Sequence, residues 1–357
     1  MPPYSQTKSI KKWETTGVLF EKDAETIDGG LNKDITKLKT AGKRKYEYIW
    51  LNIFLLSYIY ALSGYGLWLF FTAAKWQTMI FTVLGVIANY VASLAGPHRL
   101  YSHRSFKANM PLQFIILLLH STAFQDSAFD WARDHRVHHK YTETDADPYN
   151  SQRGWFFSHV GWLCTKKHPE VLAKGKEIDV SDLTSNPLLM FQKKHISIIM
   201  PTFAFVLPTL MPMYFWNEGL NVSFHVATIL RLFLELNFTF LINSSAHIYG
   251  NRPYDKTINP TNEPILIWLH LGEGYHNYHH TFPWDYKNAE QGKYAYDFTT
   301  YFIKFFSHIG WATDLKTVSK DMVRKRVKRT GDGTHPIWGW GDKDQTNEDR
   351  KEAIIIN

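Results

Sequence analysis

Four long apolar stretches interrupt an otherwise polar chain, and they come in two close pairs. The first runs from about Ile49 to Ala74 and the second from Trp76 to Pro97, with Lys75 the only charge between them. The third runs from about Ile196 to Trp216 and the fourth from about Phe224 to Ala246. About 20 apolar residues cross the hydrocarbon core of a bilayer as a helix, so each stretch predicts a membrane span. Such short connections make each pair a hairpin. Pro201, Pro208 and Pro212 predict kinks in the third span. Met110 to Phe124 is apolar but short for a full crossing, which predicts a buried or interfacial helix.

The organisation that follows has five parts. Residues 1–46 form a polar arm, 47–97 the first hairpin, 98–195 a polar and aromatic region, 196–246 the second hairpin and 247–357 another polar region. The predicted fold class is an all-α integral membrane protein. Four transmembrane helices in two hairpins stand under a cytosolic helical cap. Lys33, Lys37, Lys39, Lys43, Arg44 and Lys45 close the arm with positive charge, and both long polar regions are rich in Lys and Arg. The loops Thr72–Gln77 and Asn217–Ser223 hold one Lys between them. Positive charge stays on the cytosolic side, so both termini and both polar regions are expected there. The first 45 residues lack the apolar core of a signal peptide.

Composition narrows the chemistry. A net charge of +7 beside membrane spans points to anionic lipid or an anionic substrate rather than nucleic acid. Cys164 is the sole cysteine, which excludes an intramolecular disulfide, cysteine-ligated zinc and an iron–sulfur cluster held by this chain alone. Arg231 and Glu235 fall inside the fourth span. Charges there are costly, and four residues apart they share a helix face, so a structural pair facing the bundle is expected.

The 17 histidines are the candidate chemistry. His98 and His103 form an HxxxxH; His135, His138 and His139 form an HxxHH; His276, His279 and His280 form a second HxxHH; His247 stands in NSSAH. Positions i, i+3 and i+4 of a helix share a face, so each HxxHH can converge on one point. His98 and His103, five apart, need a helix end or irregular backbone, which Pro97 favours. Neutral imidazole suits iron, copper and zinc, and the scarcity of carboxylates argues against magnesium or calcium. Nine ligands are too many for one ion, so a two-metal centre at the membrane surface is expected. His120, His159, His168, His195, His225, His270, His308 and His335 read as ordinary surface or core residues. Asp130, Asp134, Glu143, Asp145, Asp147, Glu273 and Asp285 lie beside the boxes. They either orient the ligand imidazoles or pair with Arg133, Arg136 and Lys140.

At these residues the chain resembles the membrane acyl-CoA desaturases of the stearoyl-CoA type, the insect branch most. The runs that carry the likeness are GPHRLYSHRSFKA (96–108), WARDHRVHHKYTETDADP (131–148), FFSHVGWL (156–163), LINSSAHIYG (241–250), GEGYHNYHHTFPWDY (272–286) and RTGDGT (329–334), within roughly residues 40–340. The resemblance implies two iron ions held by the nine histidines, with Asn243 contributing through a bound water. It implies O2 as oxidant and cytochrome b5 with its reductase as electron donor. The expected product is a cis double bond in a fatty acyl-CoA. It further implies a kinked tunnel shaped by Gln125, Trp131 and Thr239, and a CoA site at Arg133, Asp134, Lys166 and Lys167. Tyr90 falls at the closed tunnel end. The implied location is the endoplasmic reticulum membrane. Chemistry agrees in one respect: an unactivated C–H bond demands an oxidant that no side chain supplies. Pro97, Tyr101, Tyr149 and Ser245 depart from the family pattern, and none removes a ligand.

The expected activity is desaturation of a saturated long-chain acyl-CoA between carbons 9 and 10. The alternatives are an insect pheromone desaturase with another position or an unsaturated substrate, a membrane fatty-acyl hydroxylase, and a metal transporter. Transporter ligands sit near the bilayer midplane, whereas almost all these histidines fall outside the predicted spans. The basic run from Arg324 to Arg329 fits anionic lipid, an acidic cytochrome b5 or an ordinary solvated helix end.

Overall fold

Each apolar stretch forms a helix in the computed structural model, which describes residues 40, 44–290, 296–335, 348 and 351. Lys33, Lys37, Lys39 and Lys43 of the basic arm lie outside the described residues. Four helices are long and apolar enough to cross a membrane: Trp50–Thr72, Trp76–Ser102, Ile196–Trp216 and Leu220–Ile248. The protein is a mostly helical, multi-pass membrane protein.

The first and third spans are 22% buried, the second and fourth 50% and 56%. Two spans therefore stand outside and two inside. The fourth span is the hub, packing on the other three. Large apolar side chains such as Trp50, Phe54, Phe71, Tyr214 and Phe215 face outward. In water that would be unfavourable, but towards lipid it is the expected surface. The two hairpin tips are joined. Lys75 donates through Nζ to the carbonyls of Trp216 (2.9 Å) and Asn217 (2.6 Å), and Glu218 accepts from the Lys75 N–H (2.9 Å) and the Thr78 hydroxyl (2.5 Å).

Three spans contain π-helical segments: Leu94–Ser102, Thr202–Val206 and Ser223–Leu230. Such segments shift the face a helix presents, and they concentrate at functional sites. The segment in the third span directly follows Pro201, whose missing N–H breaks the regular ladder. The second span does not end at Pro97 but continues helically to Ser102. Arg231 and Glu235 form the expected interior pair. Arg231 Nη1 lies 2.7 Å from a Glu235 oxygen, and the guanidinium also donates to the carbonyls of Thr122, Ala204 and Ala227.

Above the spans sits the cap. Met110–His120 is a single short helix, capped by Asn109, with Met110, Phe114 and Leu118 exposed along one stripe. It packs against the second span so closely that a Cβ at Gly96 would lie 2.2 Å from Ile116. The Ala128–Tyr141 helix begins at Ser127, whose hydroxyl accepts from the Asp130 N–H at 3.1 Å. Lys107–Ala108 pairs with Ala312–Thr313 in a two-stranded antiparallel ladder, a small departure from the all-α expectation. A core of Leu100, Phe106, Leu112, Ile116, Phe129, Leu189 and Ile303 joins these elements to the end of the second span. The basic run lies on the helix Lys320–Thr330. Val323 and Val327 are buried against aromatic residues, and Arg326 pairs with Asp255.

Candidate metal centre

The site begins with the backbone of the second span. In its π segment the bonding runs from i to i+5, and the His103 N–H donates to the His98 carbonyl at 3.2 Å. That bond brings two imidazoles five residues apart to one side, with ring centroids 5.0 Å apart. The hydroxyls of Ser102 and Ser105 donate to the carbonyls of Pro97 (2.6 Å) and Arg99 (2.9 Å), so the irregular segment keeps its acceptors satisfied. His135, His138 and His139 share the regular helix Ala128–Tyr141. His276, His279 and His280 share the helix His276–Thr281, and His247 lies in the last turn of the fourth span.

These nine side chains are buried and gather into two groups. One contains His98, His103, His135, His139 and His279, the other His138, His247, His276 and His280. Within each group one nitrogen from every ring lies within 4.8 Å of all the others. In the first, Nε2–Nε2 separations are 2.9 Å for His98–His279, 3.0 Å for His103–His135 and 2.9 Å for His139–His279. In the second they are 3.0 Å for both His247–His276 and His276–His280. A ring nitrogen carries either one proton or one lone pair, so it makes one hydrogen bond in its plane, not two. His279 and His276 each face two other nitrogens. A shared cation resolves that conflict: metal–imidazole bonds of about 2.1 Å at right angles put neighbouring nitrogens about 3.0 Å apart. The donor set therefore fits two metal ions. The groups adjoin, with His139 stacked on His280 at 4.0 Å.

Electrostatics favours the same reading. Burial, followed by repulsion from neighbouring imidazoles, holds His103, His135, His138, His139, His276, His279 and His280 well below the usual histidine range. Neutral rings keep their lone pairs for a metal. Two carboxylates orient the second group: His138 Nδ1 lies 2.9 Å from Asp147 and His247 Nδ1 lies 2.9 Å from Glu143. Burial pushes Glu143 up, but the hydrogen bonds from His247 and Ser151 outweigh it and leave the carboxyl below its usual value.

The remaining carboxylates divide by role. Glu273 lies 4.0 Å from His98 Nδ1, but its closer partners are Arg99 and Asn288. Burial pushes the Glu273 carboxyl up to about 7 in spite of Arg99. Asp130 pairs with Arg133 and Lys193, Asp145 with Arg153, and Asp285 with Lys287 and the Tyr278 hydroxyl. Sequence reasoning missed Arg99. This residue is fully buried beside His98 and ties Glu273, Asp297, Thr300 and the Tyr286 carbonyl together. Its position inside GPHRLY was the only signal available. None of the eight other histidines joins either group among the described residues.

A cavity leads to the histidines. Its inner part is lined by His98, His135, His138 and His276, and by Tyr90, Ser93 and Glu273. Its outer part, about 270 Å³, is lined by Ile49, Asn52, Asp134, Tyr149, Trp162 and Lys167, among others. Gln125, Trp131, Thr239 and Asn243 line both parts. The first three form a chain: Trp131 Nε1 donates to Gln125 (3.3 Å), and Gln125 Nε2 donates to Thr239 (2.9 Å). Asn243 lies one helical turn before His247. Arg133 and Lys167 both hold Asp134 at the mouth, whereas Lys166 turns outward to Glu47 at 2.7 Å. Tyr90 lines the inner part and packs against Phe238 and His270. Two of the departures from the family pattern have local partners. Tyr101 donates to Gln113 (3.2 Å), and Ser245 accepts from Trp155 (3.0 Å).

Four candidate spans beneath two clusters of buried imidazole, with a largely apolar cavity opening onto them, define a membrane protein with a candidate metal centre open to an apolar cavity. The chain matches the fatty acid desaturase family over residues 74–291 and belongs to it. It is 49% identical to the acyl-CoA Delta-9 desaturase of Acheta domesticus over 345 residues, covering 95% of this chain and 96% of the relative. It is 48% identical to the acyl-CoA Delta(11) desaturase of Trichoplusia ni over 344 residues, covering 96% of each. It is also 48% identical to the acyl-CoA Delta12-desaturase of Acheta domesticus over 347 residues, again covering 96% of each.

Proposed function

We propose that this chain is an acyl-CoA desaturase of the endoplasmic reticulum membrane, with its termini and histidine boxes facing the cytosol. The observation that carries the proposal is the cavity that runs from Lys167 and Asp134, past Trp131, Gln125 and Thr239, to both histidine groups. A largely apolar passage with a charged mouth suits a fatty acyl chain on an anionic carrier. Two iron ions held by His98, His103, His135, His139 and His279, and by His138, His247, His276 and His280, would supply the activation of O2 that C–H cleavage needs. Asn243, one turn before His247, would contribute to the centre through a bound water. Electrons come from cytochrome b5 and its reductase.

The protein's own residues do the positioning. Arg133 and Lys167 meet the phosphates of CoA, with Lys166 further out at the surface. The hydrogen-bonded chain Trp131–Gln125–Thr239 would bend the passage beside the histidine groups, so that one pair of methylenes stops there. Tyr90 closes the far end. Burial of the histidines keeps bulk water away from the oxidation. We assign the substrate as a saturated long-chain acyl-CoA and the bond as that between carbons 9 and 10. The relatives carry Delta-9, Delta-11 and Delta-12 names, so the product itself is the test.

Desaturase-deficient yeast expressing this chain should accumulate a new monoene. Mass spectrometry of derivatised fatty acids then reads its chain length and bond position. The same cells carrying His138→Ala should lack it. Absence of any new double bond, with the protein expressed and cytochrome b5 supplied, overturns the proposal.

A further inference from the structure

We propose that Tyr149 is a positioning residue that couples the substrate cavity to the five-histidine group. Its hydroxyl lies 3.4 Å from His135 Nδ1, and its ring centroid lies 4.6 Å from that of His138. One side chain therefore touches a histidine of each group. Its backbone N–H donates to Asp147 Oδ1 (3.2 Å), the same oxygen that faces His138 Nδ1. Tyr149 also packs on Trp162 at 5.3 Å, and both line the outer cavity.

The hydroxyl and the ring have separable tasks. His135 turns Nε2 towards its group, 3.0 Å from His103 Nε2, so its proton belongs on Nδ1 and the Tyr149 oxygen accepts it. That bond fixes the tautomer and the plane of the His135 ring. The acceptor is a neutral phenol, where His138 and His247 have carboxylates. A carboxylate makes an imidazole more electron-rich than a phenol does, so the two groups differ in donor strength. The ring, packed between His138 and Trp162, forms part of the outer cavity wall. Replacing the phenol changes one metal position; removing the ring also changes where the acyl chain lies.

The inference rests on the two-metal reading, and its test does not depend on desaturation. The full-length protein would be produced with cobalt(II) in place of iron. Retained cobalt and its visible absorption would then be followed against graded dipicolinate. Wild type should hold two equivalents per chain. Tyr149→Phe should lose one of them at about tenfold lower chelator, with a shifted band, while the other behaves as in wild type. With iron and acyl-CoA, Tyr149→Phe should lower kcat with KM unchanged. Tyr149→Leu should raise KM as well and spread the double-bond position. Loss of both equivalents together, or wild-type retention of both in Tyr149→Phe, overturns the proposal. Wild type that holds two cobalt ions but makes no double bond with iron would sink the functional reading alone. Should Tyr149→Leu fail to fold, Tyr149→Phe decides.

Discussion

Asp147 illustrates how much of the site lies one residue beyond the histidines. It accepts from His138 Nδ1 at 2.9 Å and from the backbone N–H groups of Glu143 and Tyr149. Asp147→Asn keeps the size but reverses one hydrogen-bonding edge. We expect the protein to fold with metal affinity lowered about 10–100-fold, read by metal content after dialysis against a chelator. Undiminished retention would show that His138 needs no such partner. Tyr90 sets a different quantity. It is buried in the wall of the inner cavity, eight residues before His98 and so about 12 Å along a helix. Tyr90→Ala should shift the product profile towards longer acyl chains, and an unchanged profile would remove Tyr90 from the cavity's end wall. The gathering of the histidines was legible, because HxxHH spacing announces a shared helix face. The roles of the acidic neighbours were not: seven carboxylates stood beside the boxes, and only folding sent Glu143 and Asp147 to imidazoles and Asp130 and Asp145 to arginines.

At the scale of elements, the spans were readable from length and polarity, while their irregularities were not. The i,i+5 spacing of His98 and His103 did require unusual backbone, and the π segment supplies it. The extension of the second span past Pro97 was hidden because the sequence turns polar there before the helix ends. The Arg231–Glu235 pair links the fourth span to Thr122 and to Ala204 in the third. Removing one partner strands the other charge in a buried site. Arg231→Met should cost about 3–5 kcal/mol, whereas Arg231→Met with Glu235→Met should be close to neutral. Thermal unfolding of the variants in detergent measures both. A double variant as unstable as the single one would mean that the carbonyl contacts of Arg231, not its charge, hold the bundle.

For the whole molecule, the histidine assembly makes stability depend on pH. Seven ring pKa values outside the spans are depressed in the folded chain, first by burial. The unfolded chain takes up protons near pH 6.5, where the folded chain does not. Stability therefore rises with pH wherever the unfolded state binds more protons. For metal-free protein the contribution is complete above about pH 6.5 and is lost as pH falls below it. Buried carboxyls pushed upward, such as Glu273 and Asp147, act with the opposite sign but are fewer. We expect a lower Tm at pH 5.5 than at pH 7.5; the reverse order would contradict the buried, neutral assignment. Bound metal should raise the Tm at the higher pH, since protons and metal compete for the same nitrogens.

By itself, the sequence determined the class of molecule. Apolar length sets the number of spans, helical periodicity turns the histidines of each HxxHH to one side, and nine clustered imidazoles point to a metal site. These are local properties, encoded within a few residues of one another. Tertiary structure alone decided how the boxes are shared out. His279 joins four histidines of the two earlier boxes, while His276 and His280 from its own helix join His247 and His138. It likewise decided that Gln125, Trp131 and Thr239 meet in one hydrogen-bonded chain, that Lys166 parts from Lys167, and that Arg99 binds Glu273 and Asp297 across nearly 200 residues of chain. The reason is that each of these pairings joins chemically equivalent candidates far apart in the chain. Only the packing of the spans and cap selects among them.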